Sequence, residues 1–295
     1  MAETAANPPP TRIKTYEAVV LESIVETPDT RTLVLDTGSA PLRWRASQYL
    51  SIDPHQYVGL QSFVGYLEQE KGRREAPRAY SMCSAPHDPH LAVTVKEEVF
   101  ERGKTKYPPL ISGFLVHHVR AGDRMIVTGF AGGYVFPDDV EARTDHVLHI
   151  CAGSGSVPNV SMIKDSLRRH SRLRHTFVYS NKTWQDVIFR EALTELQDRH
   201  PARLQVIHAL TRETGPLPTS ADVRSGRIDA RLLDAVLERE PGSLVYACGP
   251  AITVWERRAC AARGATPAPQ FLEAMISLLE GLGFPHERIK LESYG

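Results

Sequence analysis

A glycine-rich turn between an apolar run and a helical pattern is the first stretch of this sequence that could bind a ligand. Gly153-Ser154-Gly155 follows the apolar residues 147–151, and Pro158 falls in the first turn of the predicted helix, where a proline loses no hydrogen bond. Glycine lets a backbone approach a phosphate closely, and a helix N-terminus offers unpaired N–H groups. The third glycine of the common dinucleotide fingerprint is absent, so a simple turn is the alternative. The strand before and the helix after favour phosphate binding.

The residues after the next two predicted strands bear on which nucleotide such a turn would prefer. Ser180-Asn181-Lys182 ends the first of these strands, and Arg212 follows the second. An acid at this place would hold the ribose hydroxyl of NAD, whereas cationic side chains suit a 2′-phosphate. No acid stands before Asp186. We therefore predict NADPH, with NADH possible and a solvated turn lysine as the alternative interpretation of Lys182.

The stretch Arg78-Ala79-Tyr80-Ser81 could hold an aromatic cofactor that carries phosphate. The planar fork of an arginine pairs with phosphate oxygens through two hydrogen bonds. A tyrosine can stack on a flat ring, and a serine hydroxyl can hydrogen-bond the edge of that ring. Taken alone, the stretch is better explained by an edge-strand tyrosine with a surface arginine.

Two further features complete a recognisable set. Cys248-Gly249-Pro250 ends a predicted strand of the second half, and Glu292-Ser293-Tyr294 stands next to the chain end. Together with the arginine-tyrosine-serine stretch and the glycine turn, in this order, they resemble the ferredoxin-NADP reductase family of flavoproteins. The resemblance extends from about Tyr16 to Gly295.

The resemblance implies a role for each residue on the flavin side. Arg78 would pair with the flavin phosphates, Tyr80 would stack on the ring, and Ser81 would bond the ring edge that accepts hydride. Ser112 would cap a short helix that receives the phosphates. Residues 107–110 stand where relatives often have a glycine pair, so FMN stays open beside FAD. The flavin-binding residues implied are Arg78, Ala79, Tyr80, Ser81, Val95, Lys96, Ser112 and Tyr294.

The resemblance also places residues around the nicotinamide. Cys248 would lie beside the carbon that gives up hydride, in a positioning role; a buried inert thiol is the alternative. Tyr294 would cover the flavin face that the nicotinamide must occupy, with Glu292 near the ring edge. The catalytic set is Ser81, Cys248, Glu292 and Tyr294. The nucleotide-binding set is Gly153, Gly155, Pro158, Ser180, Lys182, Arg212, Cys248, Gly249 and Pro250.

The elements that must position these residues change in type along the chain. Up to residue 138, short apolar strands separated by Gly, Pro and Asp turns predict an antiparallel barrel or sandwich, with residues 63–67 as one strand and 110–118 as a helix. Beyond it, strands alternate with helices, which predicts an open parallel α/β sheet, with 220–226 as a surface loop. The resemblance implies a disordered tail (1–12), an FAD-binding β-barrel domain (13–138) and an NAD(P)-binding α/β domain (139–295).

Composition excludes several other classes. Lys+Arg and Asp+Glu each number 35 in the 295 residues, so no large basic surface for nucleic acid is expected. No apolar run is long enough to span a membrane, and the polar N-terminus has no signal core, so we expect a cytoplasmic protein. The four cysteines are scattered and predict no metal or iron–sulfur site.

The function implied is a flavin-dependent reductase that takes electrons from NADPH through FAD to a one-electron acceptor. The sequence ends without the cysteine run of a fused ferredoxin, which implies a separate ferredoxin, flavodoxin or oxygenase iron–sulfur component as partner. One alternative is a reductase of free flavin or quinones. Another is a non-catalytic electron-transfer subunit that binds nucleotide without turnover. The sequence leaves the acceptor and the oligomeric state open.

Overall fold

The first half of the chain forms an antiparallel barrel. The computed structural model describes residues 14–100, 105–169 and 172–294, so the predicted tail, residues 102–104 of the basic run, the end of the helix at His170 and Gly295 lie outside the described residues. The strands follow the order β4-β3-β6-β1-β2-β5, and a bridge between Met82 and Val93 joins the two outer strands. They are β1 (Lys14–Thr27), β2 (Thr30–Asp36), β3 (Tyr49–Ile52), β4 (Arg78–Ser81), β5 (Leu91–Lys96) and β6 (Arg124–Ala131).

Two helices cover this barrel, and one of them corrects the sequence prediction. Helix α1 (Gln61–Lys71) occupies the place of the strand predicted at 63–67, whereas α2 (Ser112–His117) lies where a helix was predicted. In α1, Val64 and Leu67 are buried three residues apart, which is a helical spacing. The helix ends at Gly72, which has a left-handed φ of 63°. The prediction was wrong because five residues rich in aromatic and β-branched types are too short a window to distinguish the two periods.

The second half is a parallel sheet with helices on both faces, as predicted. The strand order is β10-β9-β8-β7-β11-β12. Every residue of the central strand β7 except the last is buried, because helices cover both of its faces. The elements are α3 (Val140–Arg143), β7 (His146–Ala152), α4 (Ser156–Arg169), β8 (Arg174–Asn181), α5 (Arg190–Arg199), β9 (Leu204–Leu210), β10 (Asp222–Ser225), α6 (Ala230–Arg239), β11 (Leu244–Pro250), α7 (Val254–Ala261), α8 (Phe271–Gly281) and β12 (Ile289–Tyr294).

Strand β10 is the second correction, because a surface loop was predicted at 220–226. Residues 222–225 pair in parallel with residues 207–210 at the edge of the sheet. Three of the four are exposed, and only Val223 is half-buried. A strand of this kind is held by main-chain hydrogen bonds, so it has no apolar pattern from which to predict it.

Helix α4 joins the two halves of the molecule. The hydroxyl of Ser161 donates to the carbonyl oxygen of Ser84 at 2.6 Å and accepts the N–H of Ser47 at 3.1 Å. One turn later, the ammonium of Lys164 pairs with Asp88 of the barrel. The same helix begins at the glycine turn, so these contacts set the turn at a fixed place beside the barrel.

Over the described ranges, no helix combines the length and apolar character needed to cross a membrane. Those ranges also contain no group of three or more His, Cys, Asp or Glu side chains arranged to hold a metal ion.

Candidate functional site

The last strand brings residues of the parallel sheet against the barrel. In β12, Glu292 pairs with Cys248 of β11, and Tyr294 pairs with Pro250. The phenol of Tyr294 lies close to the Ser81 hydroxyl, at the end of β4. Burial raises the pKa of Tyr294 well above its usual value, and the nearby Cys248 raises it further. The structure therefore gathers the four predicted catalytic residues into one cluster between the two halves.

Cys248 sits in this cluster as a protonated thiol. Its side chain has no exposed surface, and burial raises its pKa well above the usual range, with a further rise from the charge of Glu292. Burial likewise raises the pKa of Glu292. Because the thiolate is the nucleophilic form, these surroundings disfavour a nucleophilic role for Cys248. They are compatible with the positioning role that the resemblance implies.

The glycines of the turn are required by the packing beneath it. A Cβ on Gly155 would lie 2.2 Å from the carbonyl oxygen of Cys248, so no side chain fits there. Gly153 has a left-handed φ of 52°. The hydroxyl of Tyr179 donates to the Gly153 carbonyl at 2.9 Å and lies 3.1 Å from the Ser156 hydroxyl. Tyr179 was not predicted, because in the sequence it looks like an ordinary strand aromatic.

A second close contact lies at the end of β11. A Cβ on Gly249 would lie 2.6 Å from the ring of Phe271, the first residue of α8. Pro250 follows as an exposed residue, whereas Pro158 is buried in the first turn of α4. The backbone at the carboxyl ends of β7 and β11 can therefore approach a ligand without intervening side chains, as expected at this edge of a parallel sheet.

Two exposed cations stand together at the ends of β8 and β9. The main-chain N–H of Arg212 donates to the carbonyl oxygen of Lys182 at 2.8 Å, which sets the two residues side by side. Ser180 is half-buried at the end of the same strand. The carboxylate of Glu213, which the sequence analysis did not find, accepts the main-chain N–H of Trp184 at 2.8 Å and holds the loop in place. Two cationic side chains beside a serine suit a phosphate group.

Arg78 is held by an acid that the sequence analysis also missed. Its guanidinium donates to the carboxylate of Glu75 at 2.5 Å and to the carbonyl oxygen of Ala76. Glu75 is 5 % exposed, and its carboxylate also accepts a hydrogen bond from the ammonium of Lys71 at 2.5 Å. Burial alone would raise the pKa of Glu75, but the two cations hold it below the usual value. A guanidinium has five N–H groups, so these contacts leave Arg78 donors for a phosphate.

The remaining residues of the implied flavin-binding set occupy varied positions. Ala79 is exposed and Tyr80 is half-buried against the barrel core. Val95 is buried in β5, so its side chain contacts the core. Of these three residues, only Ala79 and Tyr80 present side-chain surface outside the barrel.

Ser112 and Lys96 have partners that the sequence did not predict. Helix α2 has Ile111 at its cap position with no side-chain cap, and the Ser112 hydroxyl instead accepts the main-chain N–H of Glu98 at 3.1 Å. The prediction that Ser112 caps this helix is therefore wrong. The ammonium of Lys96 pairs with both oxygens of Asp29 at 2.6 Å, where it secures the turn between β1 and β2.

Comparison with known proteins adds to this geometry. A family model for the oxidoreductase NAD-binding domain matches residues 149–254. The ferredoxin reductase component of a 3-ketosteroid-9-alpha-monooxygenase from Mycobacterium tuberculosis is 30 % identical over 290 residues, covering 95 % of this chain and 70 % of that protein. One component of the 1,2-phenylacetyl-CoA epoxidase of Escherichia coli is 28 % identical over 280 residues, covering 90 % of this chain. This chain spans 65 % of the length of that component.

Solved structures share the fold. The FAD/NAD-binding domain of the nitric oxide dioxygenase from Vibrio cholerae superposes with a TM-score of 0.69 at 21 % identity, over 95 % of this chain and 98 % of that one. The ferredoxin reductase in carbazole 1,9a-dioxygenase superposes with a TM-score of 0.68 at 21 % identity, over 97 % of this chain and 71 % of that one. The two-sheet architecture described above is therefore the architecture of these reductases.

Proposed function

The chain belongs to the ferredoxin-NADP reductase family of flavin-dependent NAD(P)H oxidoreductases, and we propose that it passes electrons from NADPH through FAD to a separate one-electron acceptor protein. FAD and NAD(P)H are the cofactors of the family and of this chain. The observation that carries the proposal is the contact of Tyr294 with Ser81, beside the buried Cys248. We assign residues 13–138 to the flavin domain and residues 139–295 to the nucleotide domain.

The residues of the barrel fit a flavin that carries phosphate. Arg78 keeps N–H donors beyond those that bond Glu75 and Ala76, and 35 % of its side chain is exposed. In this proposal Arg78 binds the flavin phosphates, Tyr80 packs on the ring, and Ser81 hydrogen-bonds the ring edge. Bound FAD supplies the electron chemistry, because it accepts two electrons as a hydride and releases them one at a time.

The protein side chains then position the nicotinamide. Tyr294 occupies the position between the barrel and the sheet, and we propose that it moves aside when the nicotinamide enters. Cys248, as a buried thiol, and Glu292 border that position and orient the nicotinamide. Placement of this kind is sufficient for hydride transfer, which needs the two reacting atoms at about 3–3.5 Å.

We propose NADPH rather than NADH as the preferred donor. Lys182 and Arg212 stand side by side at the ends of β8 and β9, and both are exposed. Two neighbouring cations of this kind would pair with a 2′-phosphate, which NADH lacks. Ser180 would add a hydroxyl donor to the same group.

The electron acceptor in this proposal is a separate ferredoxin, flavodoxin or oxygenase iron–sulfur component in the cytoplasm. Two of the relatives are named as components of oxygenases, namely the reductase of a 3-ketosteroid monooxygenase and one component of an epoxidase. A flavin that accepts a hydride and releases single electrons suits such a partner.

Anaerobic mixing with NADPH and, separately, with NADH tests the first step. Flavin-loaded protein should bleach in its visible absorption bands, and NADPH should act faster than NADH. Failure to load FAD or FMN, or a flavin that neither nucleotide reduces, would contradict the proposal and favour a nucleotide-binding protein without turnover. The acceptor is tested by comparing rates with ferredoxin, flavodoxin, free flavin and a quinone. Rates that are highest with free flavin or the quinone would overturn the assignment of a protein acceptor.

A further inference from the structure

A buried chain of polar side chains runs through the parallel sheet and ends at the glycine turn. The Ser166 hydroxyl lies 2.9 Å from His175 Nε2, and His175 Nδ1 lies 3.1 Å from His149 Nε2. His149 Nδ1 lies 2.8 Å from Asn159 Oδ1. The amide nitrogen of Asn159 then donates to the carbonyl oxygen of Gly155 at 3.2 Å. All four side chains belong to residues that are at most 2 % exposed.

The hydrogen bonds along this series of side chains can run in only one direction from donor to acceptor. Because the nitrogen of the Asn159 amide faces the Gly155 carbonyl, its oxygen faces His149, and His149 Nδ1 must carry the proton. His149 Nε2 is then an acceptor, which His175 Nδ1–H satisfies. His175 Nε2 in turn accepts from the Ser166 hydroxyl. Each ring therefore has one tautomer, and every polar atom along the chain between Ser166 and Gly155 is satisfied.

The surroundings keep His149 neutral. Burial lowers its pKa to about 4. The hydroxyl of Tyr134 is a second donor to the Asn159 oxygen, at 3.3 Å. Hydrogen bonds in a dry interior strengthen one another, and loss of one partner leaves a buried group unsatisfied, so the Asn159 amide has one orientation of low energy.

This series of side chains ends at the glycine turn, where the main-chain N–H of Ser156 also donates to the carbonyl oxygens of Gly153 and Ser154. The glycines of the turn have no side chains to anchor it. The Gly153 carbonyl is held by Tyr179, and the Gly155 carbonyl is held by Asn159. Since a peptide group is planar and trans, a side chain that holds the carbonyl on one side also sets the direction of the N–H of that group. Tyr179 and Asn159 therefore orient two peptide groups of the turn.

We propose that Asn159, oriented by His149, is a positioning residue that aligns the turn for the phosphates of the nicotinamide nucleotide. This inference rests on the proposed function, because it requires the turn to bind those phosphates. Asn159 lies beneath the turn and does not itself touch the nucleotide. Its loss should weaken nucleotide binding while the rate at saturation is kept.

His146 supplies a matched control on the same strand. It is 3 % exposed, and burial lowers its pKa to about 3. Its ring nitrogens bond the hydroxyls of Ser243 at 2.7 Å and Thr176 at 3.0 Å. Like His149, it is buried and has hydrogen bonds at both ring nitrogens, but none of its hydrogen bonds leads to the glycine turn.

The test compares Asn159→Leu, His149→Leu and His146→Leu in the flavin-loaded protein. We measure NADP⁺ affinity by titration calorimetry, KM and kcat with NADPH and a dye acceptor, and the melting temperature. Asn159→Leu and His149→Leu should bind NADP⁺ about tenfold more weakly, equivalent to ~1.4 kcal/mol, and raise KM by the same factor. In both variants kcat should stay within about twofold, because the interaction that is removed acts on binding. His146→Leu should lower the melting temperature and keep the affinity.

Two further variants keep the proposal falsifiable if the leucine variants do not fold. Asn159→Asp keeps the acceptor for His149 and lacks the donor to Gly155, so it should also weaken binding. His149→Gln, whose amide can donate to Asn159, should restore affinity relative to His149→Leu. Equal losses of affinity in the His146 and His149 variants would show a structural role only and overturn the proposal, as would unchanged affinity in Asn159→Asp. If the unmodified protein does not bind NADP⁺, the proposed function itself fails.

Discussion

The phenol of Tyr294 in the last strand of the sheet lies close to the Ser81 hydroxyl in the barrel. The two residues come from opposite halves of the molecule, and Cys248 borders the phenol. The contact closes the space between the two halves at the point where a nicotinamide would have to meet a flavin. In the proposed function Tyr294 is a reversible cover, and nucleotide binding must overcome the free energy of its contact with the barrel.

Replacement of Tyr294 by alanine should strengthen NADP⁺ binding, because the competing ring is absent. An aromatic contact is worth roughly 0.5–1.5 kcal/mol beyond its buried area, so the gain in affinity should be about two- to tenfold. Tyr294→Phe is the control, since it keeps the ring and loses only the hydroxyl that meets Ser81. Titration calorimetry with NADP⁺ and then NADH measures both variants. Identical affinities in Tyr294→Ala and the unmodified protein would contradict the role as a cover.

Replacement of Arg78 by alanine should release flavin on dialysis, because a charged phosphate partner is lost. Hydrogen bonds to charged groups contribute about 1.5–3 kcal/mol, so the flavin affinity should fall by one to two orders of magnitude. Glu75→Gln should weaken flavin binding less, because it removes only the carboxylate charge that orients the guanidinium. The flavin-to-protein absorbance ratio after dialysis gives the result.

Arg74→Ala is the matched control for Arg78. Arg74 is four residues earlier in the chain, its side chain is 73 % exposed, and it lies 3.5 Å from Asp53. Its loss removes the same charge from the same region without touching Glu75. Equal flavin loss in the Arg74 and Arg78 variants would mean that general positive charge, rather than the placed guanidinium, retains the cofactor.

Whether an element of the fold could be predicted from the sequence depends on the kind of contact that holds it in place. The parallel sheet was predictable because strands such as β7 are mainly apolar and are bounded by helical patterns. Strand β10 was not predictable, because main-chain pairing at the edge of the sheet holds it. Helix α1 was mistaken for a strand because Phe63, Val64 and Tyr66 favour strands locally, and only burial of one face reveals the helix.

The site was predictable to a different extent. The glycine turn followed from its position between a strand and a helix, whereas a place for Tyr294 over the flavin was implied only by the family resemblance. Glu75 was missed because Lys71 and Arg78 must fold around it before its burial is apparent, and in sequence the three form an ordinary charged stretch. Asn159 and His149 were missed for a similar reason, since their hydrogen bond joins a helix to a strand.

The double replacement of Lys182 and Arg212 by alanine should abolish the preference for NADPH. Loss of two cations beside the 2′-phosphate should raise KM for NADPH by at least about tenfold and leave KM for NADH nearly unchanged. Arg224→Ala is the control, because this arginine on the exposed edge strand β10 lies 3.5 Å from Asp222. Steady-state rates with both nucleotides and a dye acceptor measure the change. If KM rose equally for both nucleotides, the two cations would not bind the 2′-phosphate.

Buried histidines should make the protein lose stability in mild acid. Burial lowers the pKa of His146 to about 3, and of His149 and His208 to about 4. An unfolded chain has histidines with pKa about 6.5, so it binds more protons than the folded state between about pH 6.5 and pH 4. The contribution of each neutral histidine to the free energy of unfolding is therefore complete above about pH 6.5. It falls as the pH drops toward the pKa of the histidine in the folded state.

His208→Phe isolates one of these groups. The Nδ1 of His208 is buried and has no hydrogen-bond partner among the described residues, and its ring packs edge-on against Trp184 at 5.0 Å. A phenylalanine therefore keeps the ring contact and removes one titrating group. Urea unfolding between about pH 7 and pH 5 should show a free energy of unfolding that falls less steeply in the variant, by up to ~1.4 kcal/mol per pH unit. Parallel curves for the two proteins would mean that His208 already carries a proton in the folded state.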